Sequence, residues 1–185
     1  MAGSRTIIGS SVPPFRLVFL MWLVYYVERQ SGYDLGVFGI HPRELFGLIG
    51  IVFAPILHGG VIHLISNTVP LLFLGAVLFF YYHRLAPAVF IRCYLVTNIL
   101  VWLFARPNIH IGASGLIYGL ASFLIFYGLF KRDFQSLLIS VIVLFLYGGI
   151  FYGVLPSNPY ISWESHLFGA MVGVWTAISF RYKKA

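Results

Sequence analysis

The 185-residue chain is 60% apolar and only 9% charged, whereas about a quarter of the residues in a soluble domain are charged. A water-soluble globule of this length could not bury so much apolar surface, so the composition excludes a soluble enzyme, a disordered protein and a small disulfide-stabilised secreted domain. The net charge of +7 does not indicate nucleic-acid binding, because the basic residues occur in ones and twos at the ends of apolar runs. That placement is the one expected of a protein in a lipid bilayer.

Six apolar runs predict an all-α membrane protein with six transmembrane helices, organised as a single domain over residues 1–185. The first run, 15–27, follows two prolines and is flanked by arginines, as in a signal peptide. No small-residue cleavage site follows it, which favours an uncleaved anchor. The other five runs cover residues 61–82, 87–104, 114–130, 135–155 and 165–180.

The segment between the first two runs, 32–57, is rich in glycine and proline. An irregular loop exposed to lipid would leave its backbone hydrogen-bonding groups unpaired. We therefore expect this first loop to lie at the membrane interface or to pack against protein.

The basic residues predict the orientation of the chain, because cytoplasmic loops are enriched in lysine and arginine. With six spans, nine of these residues fall on the side of the termini: Arg5, Arg16, Arg84, Arg92, Lys131, Arg132, Arg181, Lys183 and Lys184. Only Arg29, Arg43 and Arg106 fall on the other side. We expect a multi-pass protein of a prokaryotic cell (inner) membrane with both termini in the cytoplasm.

Three sets of polar residues lie at the outer ends of predicted spans, where such groups are costly and usually functional. His58, His63 and Asn67 precede or begin the second span, Ser114 begins the fourth, and His166 begins the sixth. The predicted topology therefore brings a serine, three histidines and an asparagine to the same leaflet.

Helical spacing relates these residues to their neighbours. Asn67 follows His63 by four positions, and Tyr118 follows Ser114 by four, so each pair shares a helix face. Two glycine pairs with the same spacing form small-residue seams beside Ser114 and His166: Gly115 with Gly119, and Gly169 with Gly173. Such seams let membrane helices approach closely, so their packing would bring His166 to Ser114.

Each of these features alone has an ordinary structural explanation. A serine in a membrane helix usually bonds its own backbone, and glycine pairs arise by chance in a chain with 19 glycines. A zinc site formed by His58, His63 and His166 is conceivable, but no HExxH motif or carboxylate ligand accompanies them. We therefore predict no metal and no cofactor.

Together, the motifs HxxxxHxxxN at 58–67, GxSG at 112–115 and HxxGxxxG at 166–173 resemble those of the rhomboid intramembrane serine proteases. The resemblance covers roughly residues 15–181. It implies a serine endopeptidase with a Ser–His dyad that cuts membrane-anchored proteins in or near their transmembrane segments. The implied roles are Ser114 as nucleophile, His166 as base, Asn67 and His63 in the oxyanion hole, and Tyr118 packed against the imidazole.

The sequence departs from the family pattern at two places. Many rhomboids carry a Trp-Arg pair in the first loop, where this chain has Leu48, Ile49 and Gly50. The sixth-span motif often begins Ala-His, and here it begins with Ser165. His58 matches an upstream family histidine whose role is more structural.

Two other classes of membrane protein remain as alternatives. A catalytically inactive rhomboid-like protein would bind client transmembrane helices, but it would normally lack one member of the dyad. A small transporter would place its polar groups near mid-membrane, whereas these cluster at one side. The sequence leaves the oligomeric state open.

Overall fold

The computed structural model describes residues 6–156, 158 and 161–183, and these are mainly helical. In this part of the chain the extended pairing is limited to one antiparallel bridge between Ile40 and His110. The α-helices are α1 (Ile7–Ser31), α2 (Gly50–Phe53), α3 (Val61–Tyr81), α4 (Ala86–Phe104), α5 (Ser114–Lys131), α6 (Phe134–Tyr147) and α7 (Trp163–Phe180). Short 3₁₀ helices cover Leu35–Phe38, Phe46–Leu48, Ala54–Ile56 and Gly148–Val154.

Five helical segments among the described residues are long and apolar enough to cross a membrane: α1, α3, α4, α5 and the continuous segment Phe134–Val154. Helix α7 corresponds to the sixth expected span and has 18 residues. It is not among the five segments that are long and apolar enough to cross a membrane. Its first turn carries the polar residues Glu164, Ser165 and His166. The count of six spans therefore stays a prediction.

Helix α5 forms the centre of the bundle, with 13 of its 18 residues buried. Its glycines admit close neighbours on three sides. A β-carbon at Gly119 would lie 2.9 Å from Cβ of Cys93 in α4, and one at Gly128 would lie 2.7 Å from Cβ of Ser140 in α6. Because lipid is as apolar as a protein core, this close packing, more than hydrophobic burial, holds α5 in place.

The predicted first span, 15–27, is too short. Helix α1 begins at Ile7, where Thr6 caps it, and it contains both prolines. Proline in a helix interior removes a backbone hydrogen bond, and the predicted run begins only after the two prolines. The structure accommodates them by packing: Pro14 is buried, and a β-carbon at Gly75 of α3 would lie 2.5 Å from its Cβ.

The predicted fifth span, 135–155, changes helix type part-way. Helix α6 ends at Tyr147, and the chain continues as the 3₁₀ helix Gly148–Val154. The break occurs at two consecutive glycines, which are poor α-helix formers. The 3₁₀ helix contributes directly to the site described below.

The first loop, 32–57, packs against the C-terminal end of α4 and the segment after it. The Arg43 guanidinium donates to the carbonyl oxygen of Ala105 over 2.7 Å, and the Trp102 indole donates to that of Glu44 over 2.9 Å. A β-carbon at Gly47 would lie 2.6 Å from the backbone nitrogen of His41. These contacts support the expectation that the loop packs against protein, whereas its depth in a membrane stays a prediction.

Candidate active site

Ser114 is the first residue of α5, at the end of a tight turn. The preceding Gly112 has a φ angle of 106°, a conformation that favours glycine. A β-carbon at Gly112 would also lie 2.7 Å from the His63 ring. The first glycine of the GxSG motif is therefore required both by the backbone turn and by the histidine beside it.

The Ser114 and His166 side chains meet across the α5–α7 interface. Oγ of Ser114 and Nε2 of His166 are 2.9 Å apart, which is hydrogen-bond distance. The other ring nitrogen of His166, Nδ1, lies 2.9 Å from the carbonyl oxygen of Gly153. The imidazole is only 9% exposed and both of its nitrogens are engaged, so its orientation is well defined.

Tyr118 supports the imidazole from one face. Its ring is nearly parallel to that of His166, with an interplanar angle of 6° and a centroid separation of 4.2 Å. The Tyr118 hydroxyl donates a hydrogen bond to the carbonyl oxygen of Ile150 in the 3₁₀ helix. The tyrosine one turn after Ser114 therefore contacts both the histidine and the segment behind it.

The two glycine seams lie against each other. A β-carbon at Gly169 would collide with the Gly115 carbonyl oxygen, and one at Gly173 would collide with the Gly119 carbonyl oxygen. Contact at the level of the backbone brings α5 and α7 close enough for the Ser114 and His166 side chains to reach hydrogen-bond distance.

A cavity of about 930 Å³ opens beside the pair. Its lining includes every residue that the resemblance assigned to the dyad and its support: Ser114, His166, Asn67, His63 and Tyr118. Asn67 is 2% exposed, and its Nδ2 donates to the carbonyl oxygen of His63 over 2.8 Å, within its own helix. An amide nitrogen carries two hydrogens, so that bond leaves the second one for another acceptor.

Comparison with known proteins identifies the family. The Rhomboid domain profile matches residues 45–183, which is most of the chain. The chain belongs to the rhomboid family. The family match and the five apolar helices together make this an integral membrane protein.

Several similar proteins come from mycobacteria. One in Mycobacterium tuberculosis and one in Mycobacterium bovis are each 40% identical over 179 residues, covering 91% of this rhomboid and 73% of the relative. One in Mycobacterium leprae is 37% identical over 175 residues, covering 85% and 66% of the respective chains. All three are described as uncharacterized proteins, so they indicate a bacterial family member without assigning an activity.

A polar network that the sequence analysis did not predict lies beside the site, between the segment before α5 and the start of α7. Glu164 is 3% exposed, and its Oε1 lies 3.1 Å from Nε of Arg106 and accepts from the Arg106 backbone N–H over 3.4 Å. The pair ties the segment before α5 to the first turn of α7. One signal was available, because an acid two residues before His166 needs a partner once it is buried.

The role of His110 was also missed, since the sequence places it in a loop. It is buried and lines the cavity. Its Nδ1 lies 2.6 Å from the Ser162 hydroxyl, which in turn lies 2.6 Å from that of Ser165. This chain of contacts joins the segment before α5 to the start of α7.

His58 lies just before α3, with its ring centroid 4.9 Å from that of His63. Burial lowers the pKa of His58 to about 4 and also lowers the pKa of His110, so both imidazoles are neutral near pH 7. No group of three or more histidine, cysteine or acidic side chains gathers at one point within the described part of the chain, so these residues offer no ligand set for a metal.

Proposed function

We propose that this rhomboid is an intramembrane serine endopeptidase that hydrolyses peptide bonds in or near the transmembrane segments of membrane-anchored proteins. The observation that carries the proposal is the 2.9 Å contact between Ser114 Oγ and His166 Nε2 at the wall of the cavity. A serine hydroxyl is a weak nucleophile until a base removes its proton, and this contact provides the base.

The dyad would act in two steps. Oγ of Ser114 attacks the peptide carbonyl carbon while its proton moves to Nε2 of His166, which then passes that proton to the departing amine. Water then attacks the resulting acyl-enzyme. Nε2 of His166 accepts the proton of the water and donates it to Ser114 Oγ as the acyl group leaves. No carboxylate is needed as a proton acceptor.

The oxyanion formed in each step requires hydrogen-bond donors at fixed positions. The N–H of Ser114 has no carbonyl partner within α5, because Ser114 is the first residue of the helix. Asn67 and His63 line the same cavity from α3. We assign these three groups to the oxyanion hole.

The orientation of the protein follows from its charges and from the length of α5. We propose six spans, with α7 as the sixth, and cytoplasmic termini on the side of the nine basic residues. The 18 residues of α5 extend about 27 Å, against about 30 Å for the hydrocarbon core. With Lys131 at the inner boundary, Ser114 lies a few ångströms below the outer surface, in a cavity that opens outward to water.

A fluorophosphonate probe tests the proposal directly, since it labels only an activated serine. The purified protein should be labelled at Ser114, with no labelling of Ser114→Ala protein and no effect of chelators. An unlabelled but folded wild-type protein that still captures transmembrane helices would favour the alternative, a catalytically inactive client-binding member of the family.

Asn67→Ala should lower kcat by about 10²–10³-fold, as expected for loss of a principal oxyanion donor. The measurement is steady-state cleavage of a membrane-anchored substrate. Ser66→Ala is the matched control. The Ser66 hydroxyl donates its only hydrogen to the carbonyl oxygen of His63 over 2.8 Å, so it has none left for an oxyanion. An effect of Asn67→Ala confined to KM would instead assign this residue to substrate binding.

Substrates should be cut near the outer end of their transmembrane helix. A regular helix hides its carbonyl groups in hydrogen bonds, so glycine or proline should expose a scissile bond to Ser114. We would move a glycine or proline pair along model single-span substrates and map the cuts by mass spectrometry. Cleavage should be strongest with the pair at the outer end, and preferential cleavage at the cytoplasmic end would contradict the proposed topology.

A further inference from the structure

The 3₁₀ helix Gly148–Val154 offers two backbone carbonyl groups to side chains of the site. The carbonyl oxygen of Gly153 lies 2.9 Å from Nδ1 of His166, and that of Ile150 accepts from the Tyr118 hydroxyl. The histidine and the tyrosine stacked on it are thus both bonded to one short segment. None of the seven residues of this segment is fully buried, although Ile150 and Phe151 pack against the hydrophobic core.

We propose that the Gly153 carbonyl is the positioning group of the base: it fixes the tautomer of His166, the task that an aspartate performs in a Ser-His-Asp triad. The inference rests on the proposed protease function. A carbonyl oxygen can only accept, so Nδ1 must carry the hydrogen. Neutral imidazole has one N–H, and Nε2 is left with the lone pair that faces Ser114. When Nε2 takes the serine proton, Nδ1 keeps its own hydrogen and its bond to Gly153.

A carboxylate does not fill this place. The acid nearest to the base in sequence, Glu164, has its Oε1 engaged by Arg106 through an ion pair and a backbone N–H. Among the described residues, the hydrogen-bond partner of His166 Nδ1 is the carbonyl oxygen of Gly153. The dyad therefore has a third member that is part of the main chain.

Residue 153 must be glycine for this contact to form. A β-carbon there would collide with the Tyr118 hydroxyl and would lie 3.0 Å from Nδ1 of His166. Gly149, in the same 3₁₀ helix, has no atom within 4 Å of the corresponding position. Neither glycine has a positive φ angle, so the two differ in available space and not in backbone strain.

The position of this segment would therefore control the base. Displacement of Gly148–Val154 would remove the Gly153 carbonyl from Nδ1 of His166. It would at the same time remove the Ile150 carbonyl from the Tyr118 hydroxyl. The imidazole could then take the other tautomer, in which Nε2 carries the hydrogen and cannot accept the proton of Ser114.

The first test is the tautomer of His166 in the resting wild-type protein. Nitrogen-15 NMR of histidine-labelled protein distinguishes a protonated from an unprotonated ring nitrogen, and comparison with His166→Gln protein assigns the signals. We expect hydrogen on Nδ1 and none on Nε2. The opposite tautomer would overturn the proposal. This measurement uses no substrate, so it is independent of whether the protein proves to be a protease.

The second test compares Gly153→Ala with Gly149→Ala. We expect Gly153→Ala to lower kcat by about 10²-fold, to slow fluorophosphonate labelling of Ser114 similarly and to shift His166 toward the Nε2–H tautomer, because the orienting acceptor is lost. Gly149→Ala should leave all three unchanged. Wild-type kcat in folded Gly153→Ala protein, or a loss of kcat with an unchanged tautomer, would overturn the proposal.

A double variant distinguishes a steric collision between residue 153 and Tyr118 from a nonspecific loss of structure. Tyr118→Phe removes the hydroxyl that a β-carbon at residue 153 would strike. Gly153→Ala combined with Tyr118→Phe should therefore recover part of the kcat and of the Nδ1–H tautomer lost in Gly153→Ala alone. A double variant that is worse than either single variant would contradict the steric argument. Failure of the proposed function is distinguishable, since wild-type Ser114 would then go unlabelled whatever the tautomer.

Discussion

Replacement of Ser114 or of His166 by alanine should abolish proteolysis, with kcat reduced by about 10⁴-fold or more. In the proposed mechanism the two side chains act as a unit across their 2.9 Å contact, so the double variant should be hardly worse than either single one. Both variants should still insert and fold, because neither removes a glycine of the helix seams or a residue of the hydrophobic core. The measurement is single-turnover cleavage by purified protein in detergent or liposomes.

Ser122→Ala is the matched control for the serine. Ser122 lies on the same helix, is fully buried, and its hydroxyl has no hydrogen-bond partner among the described residues. Its removal deletes the same atom from α5 at a point away from the cavity, so cleavage should be unchanged. Robust proteolysis by Ser114→Ala protein would refute the assignment of a serine protease.

Gly169→Leu should lower kcat by about 10²-fold or more, although it removes no chemical group of the site. A β-carbon at residue 169 already collides with the Gly115 carbonyl and would lie 3.2 Å from its Cα, so leucine must push α7 away from α5. Displacement of a catalytic group by about 1 Å costs on the order of 10² in rate. Fluorophosphonate labelling of Ser114 should fall in parallel, because the base moves away from the nucleophile.

Met171→Leu is the control on the same helix, since Met171 is 54% exposed and faces away from α5. Thermal unfolding of both variants separates altered helix packing from loss of the fold. Near-normal turnover in a folded Gly169→Leu protein would show that the rate does not depend on the glycine contact between α5 and α7.

The apolar pattern predicted several helices closely, and local packing explains where it failed. The predicted spans 61–82, 87–104 and 114–130 each differ from α3, α4 and α5, respectively, by one residue at one end. The start of α1 was misplaced because the cost of a proline depends on its neighbours, and here Gly75 makes room for Pro14. Residues 148–154 are as apolar as a span requires, and the pattern carries no sign of their 3₁₀ geometry beyond the two glycines.

By itself, the sequence determined the membrane class and the family and predicted the side chains of the proposed site, because these depend on composition and on residues spaced along single helices. Only the tertiary structure decided the contact of Ser114 with His166, which are 52 residues apart in the chain, and the ion pair of Arg106 with Glu164. It also decided that a backbone carbonyl, at Gly153, lies at hydrogen-bond distance from Nδ1 of His166. Every residue carries the same carbonyl group, so the sequence does not show which carbonyl bonds to His166. The one sequence feature related to this contact is the glycine at 153, which lets the main chain approach the imidazole.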